Sequence, residues 1–386
     1  MADFLYDVVV TDAAQRVALE IVRSLGMNKL KIVTVEKHNN SAAPLAAFSR
    51  YSSDFLKVPN YTGKEFIELC SKAETVFPVS TNTVIECCKS VKKKFPEKFL
   101  LPDYELLNKV NDKHSLCRIA EEANIAYPKT FSVSNVDELF DAAENMTYPL
   151  VLKLANDEGL FLPPCERYAI VEERDKLINY FKRLKKFGKR IILQNYINGV
   201  GIGFSVVYDK DKHCLVAFQH QRLREYPLSG GPSTYCKSVH YDIVEKKGRE
   251  LLDFLEWTGP AMVEFKYDID KDKLVLLEVN PRYWGSLPLA RKAGVNIPFI
   301  HYKNIVDGET DSPAEYKNNV KLKFLAADFI AAFKQIKSEN AYFTGPFKYS
   351  SEFFRPKTSF GIWEFRDPKP AFFYLTSHLS SKKRRE

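Results

Sequence analysis

Two glutamates lie inside apolar runs that a short turn connects. Residues 261–265 read Ala-Met-Val-Glu-Phe, residues 275–279 read Val-Leu-Leu-Glu-Val, and the turn Asp270-Lys271-Asp272 lies between them. Apolar runs of this length on both sides of a turn predict a pair of antiparallel strands. A buried carboxylate is costly without a partner, so Glu264 and Glu278 indicate a bound cation. Acids on a solvated sheet face are the alternative interpretation.

The second strand leads into a polar segment, Glu278-Val279-Asn280-Pro281-Arg282. Side chains alternate between the two faces of a strand, so Glu278 and Asn280 point to one side and Glu264 can lie opposite them. Two carboxylates and an amide oxygen are ligands suited to Mg²⁺. Arg282, two residues further on, can place several hydrogen-bond donors against a phosphate group.

Strands and helices alternate in the first hundred residues. Residues 6–11 and 30–36 are predicted strands, and residues 13–25 form an amphipathic helix pattern that ends at Gly26. This alternation predicts a parallel, doubly wound α/β sheet. Glu36 occupies the place of a ribose-binding acid, but the first turn has no G-x-G-x-x-G motif to admit a dinucleotide. A nicotinamide-dependent oxidoreductase is therefore the less favoured alternative.

From Asp112 onward the predicted strands are grouped in hairpins. Strands at 203–209 and 213–219 flank the turn Lys210-Asp211-Lys212, and the pair with the two glutamates follows. Hairpins indicate antiparallel sheets. The predicted fold class is therefore α/β at the N-terminus, followed by an α+β part.

The charge balance argues against a nucleic-acid-binding protein. Lysine and arginine number 57 and acidic residues 49, a net charge of +8 over 386 residues, which suits anionic ligands without a concentrated basic face. The seven cysteines include no C-x-x-C pair, which indicates reduced thiols in a reducing compartment. Neither a membrane-spanning stretch nor a signal-peptide pattern is present, so we expect a cytoplasmic protein.

The pattern Glu…Glu-x-Asn-Pro-Arg resembles that of the ATP-grasp superfamily, in particular the members similar to the carbamoyl-phosphate synthase large chain and the carboxylate–amine ligases. The resemblance extends over nearly the whole chain to about residue 300. It implies a Rossmann-like pre-ATP-grasp domain over residues 1–110 and a two-domain ATP-grasp fold with antiparallel sheets over residues 111–310. Residues 311–386 are then an aromatic, basic C-terminal extension.

The resemblance also implies roles for individual residues. The magnesium ligands of the family match Glu264, Glu278 and Asn280, and its arginine facing the transferred phosphate matches Arg282. Its nucleotide contacts, two phosphate-binding lysines and a linker along the adenine edge, match Lys113, Lys153, Gln194, Tyr196 and Ile197. ATP and Mg²⁺ are the implied cofactors, with Mn²⁺ as a second candidate metal.

Two features depart from the family pattern. The glycine-rich flap over the phosphates corresponds here to residues 155–160, Ala-Asn-Asp-Glu-Gly-Leu, with one glycine. Residues 200–203, Val-Gly-Ile-Gly, occupy the place of the acid that contacts ribose. A non-catalytic nucleotide-binding module of the same fold is therefore an alternative.

Two arginines precede a loop rich in serine and glycine. Arg222 and Arg224 are predicted to share one face of a strand that enters residues 226–233, and they could bind the carboxylate of a substrate with the help of loop amides. A solvated basic edge strand is nearly as good an interpretation. His220 is expected to be a packing residue.

The C-terminal extension combines an apolar helix with a basic tail. A helix is predicted over residues 321–337, and the chain finishes in Lys382-Lys383-Arg384-Arg385. Packing on the preceding domains is the default interpretation, and peripheral contact with an anionic membrane is the alternative. A homodimer is a further expectation.

The residues and the resemblance together predict an ATP-dependent ligase. A small carboxylic acid would be activated as an acyl phosphate and attacked by an amine, with release of ADP and phosphate. The enzyme would thus be a carboxylate–amine ligase forming a C–N bond.

Overall fold

A computed structural model describes residues 4–156, 159–160, 162, 164–228, 230–310, 315–338, 344–353 and 357–383. The described chain forms three β-sheets with helices packed around them. Its strands are β1 (Tyr6–Val10), β2 (Ile32–Lys37), β3 (Asp54–Val58), β4 (Ala73–Phe77), β5 (Thr130–Val133), β6 (Leu150–Leu154), β7 (Tyr168–Val171), β8 (Ile191–Asn195), β9 (Gly199–Tyr208), β10 (Cys214–Glu225), β11 (Ser233–Val239), β12 (Gly259–Asp268), β13 (Lys273–Asn280), β14 (Lys321–Lys323) and β15 (Thr358–Phe360).

The helices are distributed along the whole described chain. They are α1 (Arg16–Gly26), α2 (Lys64–Ser71), α3 (Thr81–Glu86), α4 (Lys92–Lys94), α5 (Tyr104–Asn111), α6 (Lys113–Glu122), α7 (Val136–Glu144), α8 (Pro164–Arg167), α9 (Leu177–Lys185), α10 (Asp242–Phe254), α11 (Leu287–Ala293), α12 (Ile297–Asp307), α13 (Leu325–Ser338), α14 (Thr344–Phe353) and α15 (Lys369–Lys383). Each is too short or too polar, over the residues described, to span a bilayer.

The N-terminal sheet is parallel and has the strand order β3-β2-β1-β4. Its central strand β1 is apolar and almost wholly buried, as expected when helices cover both faces of a sheet. Helix α1 buries Val17, Ile21, Val22 and Leu25, the stripe that its sequence pattern predicts. The predicted α/β arrangement of this region is confirmed.

Two antiparallel sheets follow. The smaller has the order β5-β8-β6-β7, and the larger has the order β13-β12-β9-β10-β11-β14-β15. Every neighbouring pair in the larger sheet is antiparallel except β14 with β15. The predicted hairpin of β12 and β13 forms one end of this larger sheet. The α+β prediction for this part is confirmed.

The C-terminal segment differs from its prediction at its start. We expected one helix over residues 321–337, but Lys321–Lys323 form strand β14 and helix α13 begins at Leu325. The strand forms because the edge of β11 offers unpaired backbone groups, and Lys321, Leu322 and Lys323 pair with Lys237, Cys236 and Tyr235. The segment therefore extends the larger sheet.

Candidate functional site

A cleft of about 920 Å³ lies between the three sheets. Its walls include residues at the start of helices α1 and α3 in the N-terminal region, residues of both antiparallel sheets and one residue of helix α15. Seven lysines and arginines and three glutamates line it. The surplus of positive charge suits a polyanionic ligand.

Glu264 and Glu278 face each other at one wall of this cleft. Strands β12 and β13 pair them directly in the antiparallel ladder, as the hairpin pattern predicted. A β-bulge follows, because the next pair is Phe265 with Leu276 and Leu277 has no opposite residue. Leu277 lines the cleft together with the two glutamates.

Asn280 and Arg282 continue from Glu278 along the same wall. Asn280 Nδ2 donates a hydrogen bond to Glu278 Oε1 at 2.8 Å, and Arg282 Nη2 donates to Asn280 Oδ1 at 3.2 Å. The Nε of Arg282 donates to Thr81 Oγ1 at 2.8 Å. Thr81 begins α3 on the N-terminal sheet, so the arginine is held between two parts of the fold.

The two facing carboxylates differ in their electrostatic surroundings. Burial, together with the like charge of Glu278, raises the pKa of Glu264, although Arg222 acts against this shift. Burial also disfavours the charged form of Glu278, but Lys113, Asn280 and Lys153 outweigh it and lower the pKa of Glu278. When two carboxylates are buried this close together, the negative charge of each disfavours ionisation of the other. A cation placed between them would stabilise both negative charges.

Lys113 and Lys153 converge on Glu278 from two elements. Lys113 is the first residue of α6, whose N-cap Asp112 accepts a hydrogen bond from Ser115 N. Lys153 lies on β6, and burial together with the charge of Lys113 lowers its pKa to about 8. Both lysines line the cleft. Two cations held close together need an anion, which phosphate groups would provide.

The end of β8 and the residues after it line another part of the cleft. Gln194 is buried, and its Nε2 donates to Thr130 Oγ1 at 2.7 Å. Ile197 O accepts a hydrogen bond from Lys266 Nζ at 2.9 Å, and the same ammonium lies 5.0 Å from the ring centre of Tyr196. The structure thus brings all three predicted adenine-edge residues to the cleft.

Arg222 reaches Glu264 across strand β9. Its Nη2 lies 2.5 Å from Glu264 Oε2, and its Nη1 donates to Gly231 O at 3.0 Å. The crossing requires Gly201, because a Cβ there would lie 2.8 Å from Arg222 Cδ. The buried Nε of Arg222 has no hydrogen-bond partner among the described residues. Arg222 therefore retains a donor for a ligand oxygen.

The prediction that Arg224 joins Arg222 at the site is wrong. The ladder between β10 and β11 is irregular between the two arginines, and Arg224 does not line the cleft. Its guanidinium instead pairs with Asp328 at 2.8 Å and Glu352 at 3.0 Å. These acids lie on α13 and α14, so Arg224 anchors the C-terminal helices to the larger sheet.

Several residues at the cleft were not predicted from the sequence. Lys266 lies two residues after Glu264 on the same face of β12, so strand alternation could have indicated it. Thr81 is 201 residues from Arg282, and no local pattern connects them. His220 is buried as expected, and burial with the charge of Arg222 lowers its pKa to about 3. Part of the predicted flap, residues 157–158, and Ser229 of the loop lie outside the described residues.

The donor set fits a metal ion that arrives with a polyphosphate. Within the described ranges, no three His, Cys, Asp or Glu side chains cluster as a complete metal cage. Two facing carboxylates and the amide of Asn280 instead offer a partial set of oxygen ligands beside the phosphate-suited lysines. Magnesium commonly binds through one or two carboxylates plus substrate phosphates.

Known proteins share this architecture. Residues 190–327 match the model of a family described as ATP-grasp in the biosynthetic pathway with Ter operon. Among solved structures, a biotin carboxylase from Campylobacter jejuni covers 82% of this chain and 74% of its own at a TM-score of 0.64 and 15% identity. N5-carboxyaminoimidazole synthetase from Staphylococcus aureus, complexed with ADP, covers 83% and 81% at a TM-score of 0.64 and 14% identity.

The chain has the ATP-grasp fold. The predicted resemblance is thus confirmed, and the cleft described above lies in an ATP-grasp architecture.

Curated relatives match about half of the chain. The arginine-specific large chain of carbamoyl phosphate synthase from Neurospora crassa is 23% identical over 208 residues, which are 52% of this chain and 17% of the relative. The D-aspartate ligase of Enterococcus faecium is 25% identical over 221 residues, 53% of this chain and 52% of that enzyme. The chain therefore spans about half, or less, of the length of these relatives.

Proposed function

We propose that the protein is an ATP-dependent carboxylate–amine ligase. The observation that carries the proposal is the facing pair Glu264 and Glu278, set in one cleft with Lys113 and Lys153. Acids that face each other in a buried ladder need a cation, and paired lysines need an anion. MgATP satisfies both requirements at once.

The proposed metal ligands are Glu264, Glu278 and Asn280. Mg²⁺, or Mn²⁺ in its place, would neutralise charge on the ATP phosphates. Asn280 would turn its oxygen toward the metal and Arg282 would move its donor to the γ-phosphate, since the two side chains now bond each other. Lys113 and Lys153 would hold the phosphate oxygens.

The nucleoside is proposed to lie against the end of β8 and the residues after it. Gln194, Tyr196 and Ile197 line the cleft there, and Lys266 donates a hydrogen bond to the backbone at Ile197. Leu277, which the bulge turns into the cleft, adds an apolar surface for a base. This division of the site separates base recognition from phosphate chemistry.

The chemistry follows from charge placement. The substrate carboxylate attacks the γ-phosphorus, the bond to ADP breaks, and an acyl phosphate forms. The amine then attacks the acyl carbon and phosphate leaves with the bonding electrons. Arg222, with its unused Nε donor, is proposed to hold the substrate carboxylate in line for the first step. The protein thus acts mainly by positioning and charge stabilisation.

Turnover separates this proposal from a non-catalytic nucleotide-binding module. Acids are screened for ADP release in the presence of Mg²⁺ and hydroxylamine, which traps an acyl phosphate as a hydroxamate. Hydroxamate formation that depends on ATP and on one acid supports the ligase. Tight ATP binding without ADP release for any acid supports the module instead.

A nicotinamide-dependent oxidoreductase is less compatible with the structure. Glu36 Oε2 accepts a hydrogen bond from Ala14 N at 2.9 Å, and Glu36 Oε1 accepts one from Lys37 N. The acid that would bind a ribose is therefore engaged in holding the first turn of the parallel sheet. A titration that compares ATP with NAD distinguishes the two.

We propose domains at residues 1–110, 111–310 and 311–386. The parallel sheet ends with β4, and the antiparallel sheets begin with β5.

Six described cysteines are free thiols, which supports a cytoplasmic location. We also propose that the protein forms a homodimer, which a measurement of its molecular mass in solution would test.

We also propose peripheral contact of the C-terminal extension with anionic membranes. Four large apolar side chains of α13 are exposed: Leu325, Phe329, Ile330 and Phe333. Lys334 and Lys337 lie on the same helix. An apolar surface with nearby lysines is suited to the interface of an anionic bilayer.

A further inference from the structure

Arg16 is a cation of the cleft that the proposed ATP chemistry does not use. It begins α1 of the N-terminal sheet and lines the cleft beside Gln15 and Thr81. Among the residues that the structure describes, no carboxylate forms an ion pair with Arg16. Burial lowers the pKa of Arg16. An arginine that is partly withdrawn from water without a counter-ion indicates a place for an anion.

The C-terminal extension fixes the position of Arg16. The guanidinium carbon lies 4.2 Å from the ring centre of Phe324, a cation–π arrangement that leaves the donor edge of the guanidinium available. Phe324 is 4% exposed, so it is a firm support. Tyr374 of α15 lines the same cleft. Both aromatic residues lie beyond residue 311.

The backbone at the start of α1 reinforces the positive potential. The 11-residue helix has no acidic residue in its first turn, and its N-cap Gln15 makes no side-chain capping bond. The helix therefore offers the positive end of its dipole to the cleft with no acid of its own first turn to neutralise it, and the nearby carboxylate of Glu36 is bound to Ala14 N, before the helix begins. Arg16 and the helix terminus together favour an oxyanion.

We propose that Arg16, supported by Phe324 and Tyr374, binds an anionic group of the amine substrate. This inference rests on the proposed ligase function and names the class of its acceptor: an amine that carries its own carboxylate or phosphate. The proposed metal ligands lie on β12 and β13 of the larger antiparallel sheet, whereas Arg16 lies on helix α1 in the N-terminal region. The C-terminal extension is then a wall of the acceptor subsite.

Binding of small anions tests the inference. The full-length protein is first saturated with Mg²⁺ and adenylyl imidodiphosphate, which occupies the nucleotide position. Malonate and glycerol phosphate are then titrated, each against its neutral counterpart, malonamide or glycerol. The signal is tryptophan fluorescence, since Trp284 lines the cleft. If malonate binds more tightly, the subsite accepts a carboxylate, and if glycerol phosphate binds more tightly, it accepts a phosphate.

Variants assign the binding to Arg16. Arg16→Gln is expected to lower the affinity for the anion by about 10- to 100-fold, which corresponds to the loss of one charged hydrogen bond. Arg16→Lys should restore part of that affinity. Tyr374→Phe is expected to lower the affinity by a smaller factor. The matched control is Arg118→Gln, which removes an exposed arginine outside the cleft. Wild-type protein that binds neither anion, or binding unchanged by Arg16→Gln, overturns the inference.

Hydroxamate formation keeps the two proposals apart. Trapping with hydroxylamine needs the acid and ATP but no amine substrate. Wild-type protein should therefore form hydroxamate whether or not Arg16 binds an acceptor, and Arg118→Gln should match it. No hydroxamate from the wild-type protein counts against the ligase. Normal hydroxamate with unchanged anion binding counts against the acceptor subsite alone.

Discussion

The guanidinium of Arg23 and the carboxylate of Asp367 form an ion pair at 2.9 Å, with both side chains 1% exposed. The residues are 344 positions apart, on α1 and just before α15. Asp367 also accepts hydrogen bonds from Ser49 Oγ and Arg50 N. The pair thus anchors the C-terminal extension to helix α1, seven residues before Tyr374, which lines the cleft.

Removing this anchor should destabilise the protein strongly. We expect Asp367→Ala to lower the free energy of unfolding by as much as about 3 to 5 kcal/mol, because it removes the close partner of the buried Arg23 charge and leaves only Glu364, at 3.8 Å. Urea unfolding at neutral pH measures the change. Glu68→Gln, which breaks an exposed pair with Lys72, is the control and should leave the free energy of unfolding almost unchanged, because exposed ion pairs contribute little. Equal losses in both variants would contradict the anchor.

Glu278→Gln should abolish turnover without unfolding the protein. The amide keeps the size of the side chain but removes a charge that the proposed metal and the lysines require, so we expect a fall in ADP release of at least about 100-fold. Glu173→Gln, on an exposed glutamate, should keep wild-type activity. Unchanged turnover at saturating Mg²⁺, with normal thermal unfolding, would remove Glu278 from the ligand set.

Two glycines of β9 should respond differently to alanine. A Cβ at Gly203 would lie 2.2 Å from the ring of buried His220, so Gly203→Ala should cost about 1 to 3 kcal/mol of unfolding free energy. A Cβ at Gly201 would instead press on the flexible stem of Arg222. Gly201→Ala should therefore cost less unfolding free energy than Gly203→Ala, but it should raise the KM for the substrate carboxylate by a larger factor. The reverse ranking would mean that Arg222 is not held as described.

Acid should weaken the contact between α11 and the C-terminal segment. Burial opposes ionisation of Glu364, but Arg291 and Lys292 outweigh it and hold its pKa at about 2. Because the folded pKa lies below the unfolded value near 4.5, the contribution to stability is complete above pH 5 and is lost as pH falls toward 2. It amounts to at most about 3 kcal/mol. In the Glu364→Gln variant, the free energy of unfolding should therefore change less with pH in this range than it does in the wild-type protein.

Flotation with vesicles tests the membrane proposal. Wild-type protein should rise with vesicles that contain anionic lipid at low salt, and remain at the bottom at high salt, because screening shortens the electrostatic reach. Replacing exposed Phe329 and Phe333 with serine should abolish flotation. Protein that stays unbound at low salt would leave the extension with its structural contacts alone.

Local sequence patterns predicted the sheets and one wall of the cleft. The hairpin and its alternation placed Glu264 opposite Glu278, because both strands and their turn are contiguous in sequence. Lys113 and Lys153 were indicated only by resemblance, since neither stands out in its own segment. Arg224 was misplaced because its partners Asp328 and Glu352 lie more than a hundred positions away.

The unpredicted part of the site depends on tertiary contacts. Thr81 meets Arg282, and Arg16 meets Phe324, across 201 and 308 positions respectively. Such pairs leave no periodic signal, because each residue is compatible with an exposed position in its own element. The strand β14 was missed for the same reason: three residues form a strand only because β11 is beside them.

The bulge at Leu277 has a consequence for how this hairpin can vary in length. Phe265 pairs with Leu276, so in a regular ladder the next pair would be Glu264 with Leu277. Glu278 would then point to the face of the sheet opposite to that of Glu264. The additional residue restores the match between the two acids. A shorter hairpin without Leu277 would also align them, so the same acid pair can be encoded at two spacings. Register, rather than a fixed number of intervening residues, is therefore the signature by which this pair should be sought in other sequences.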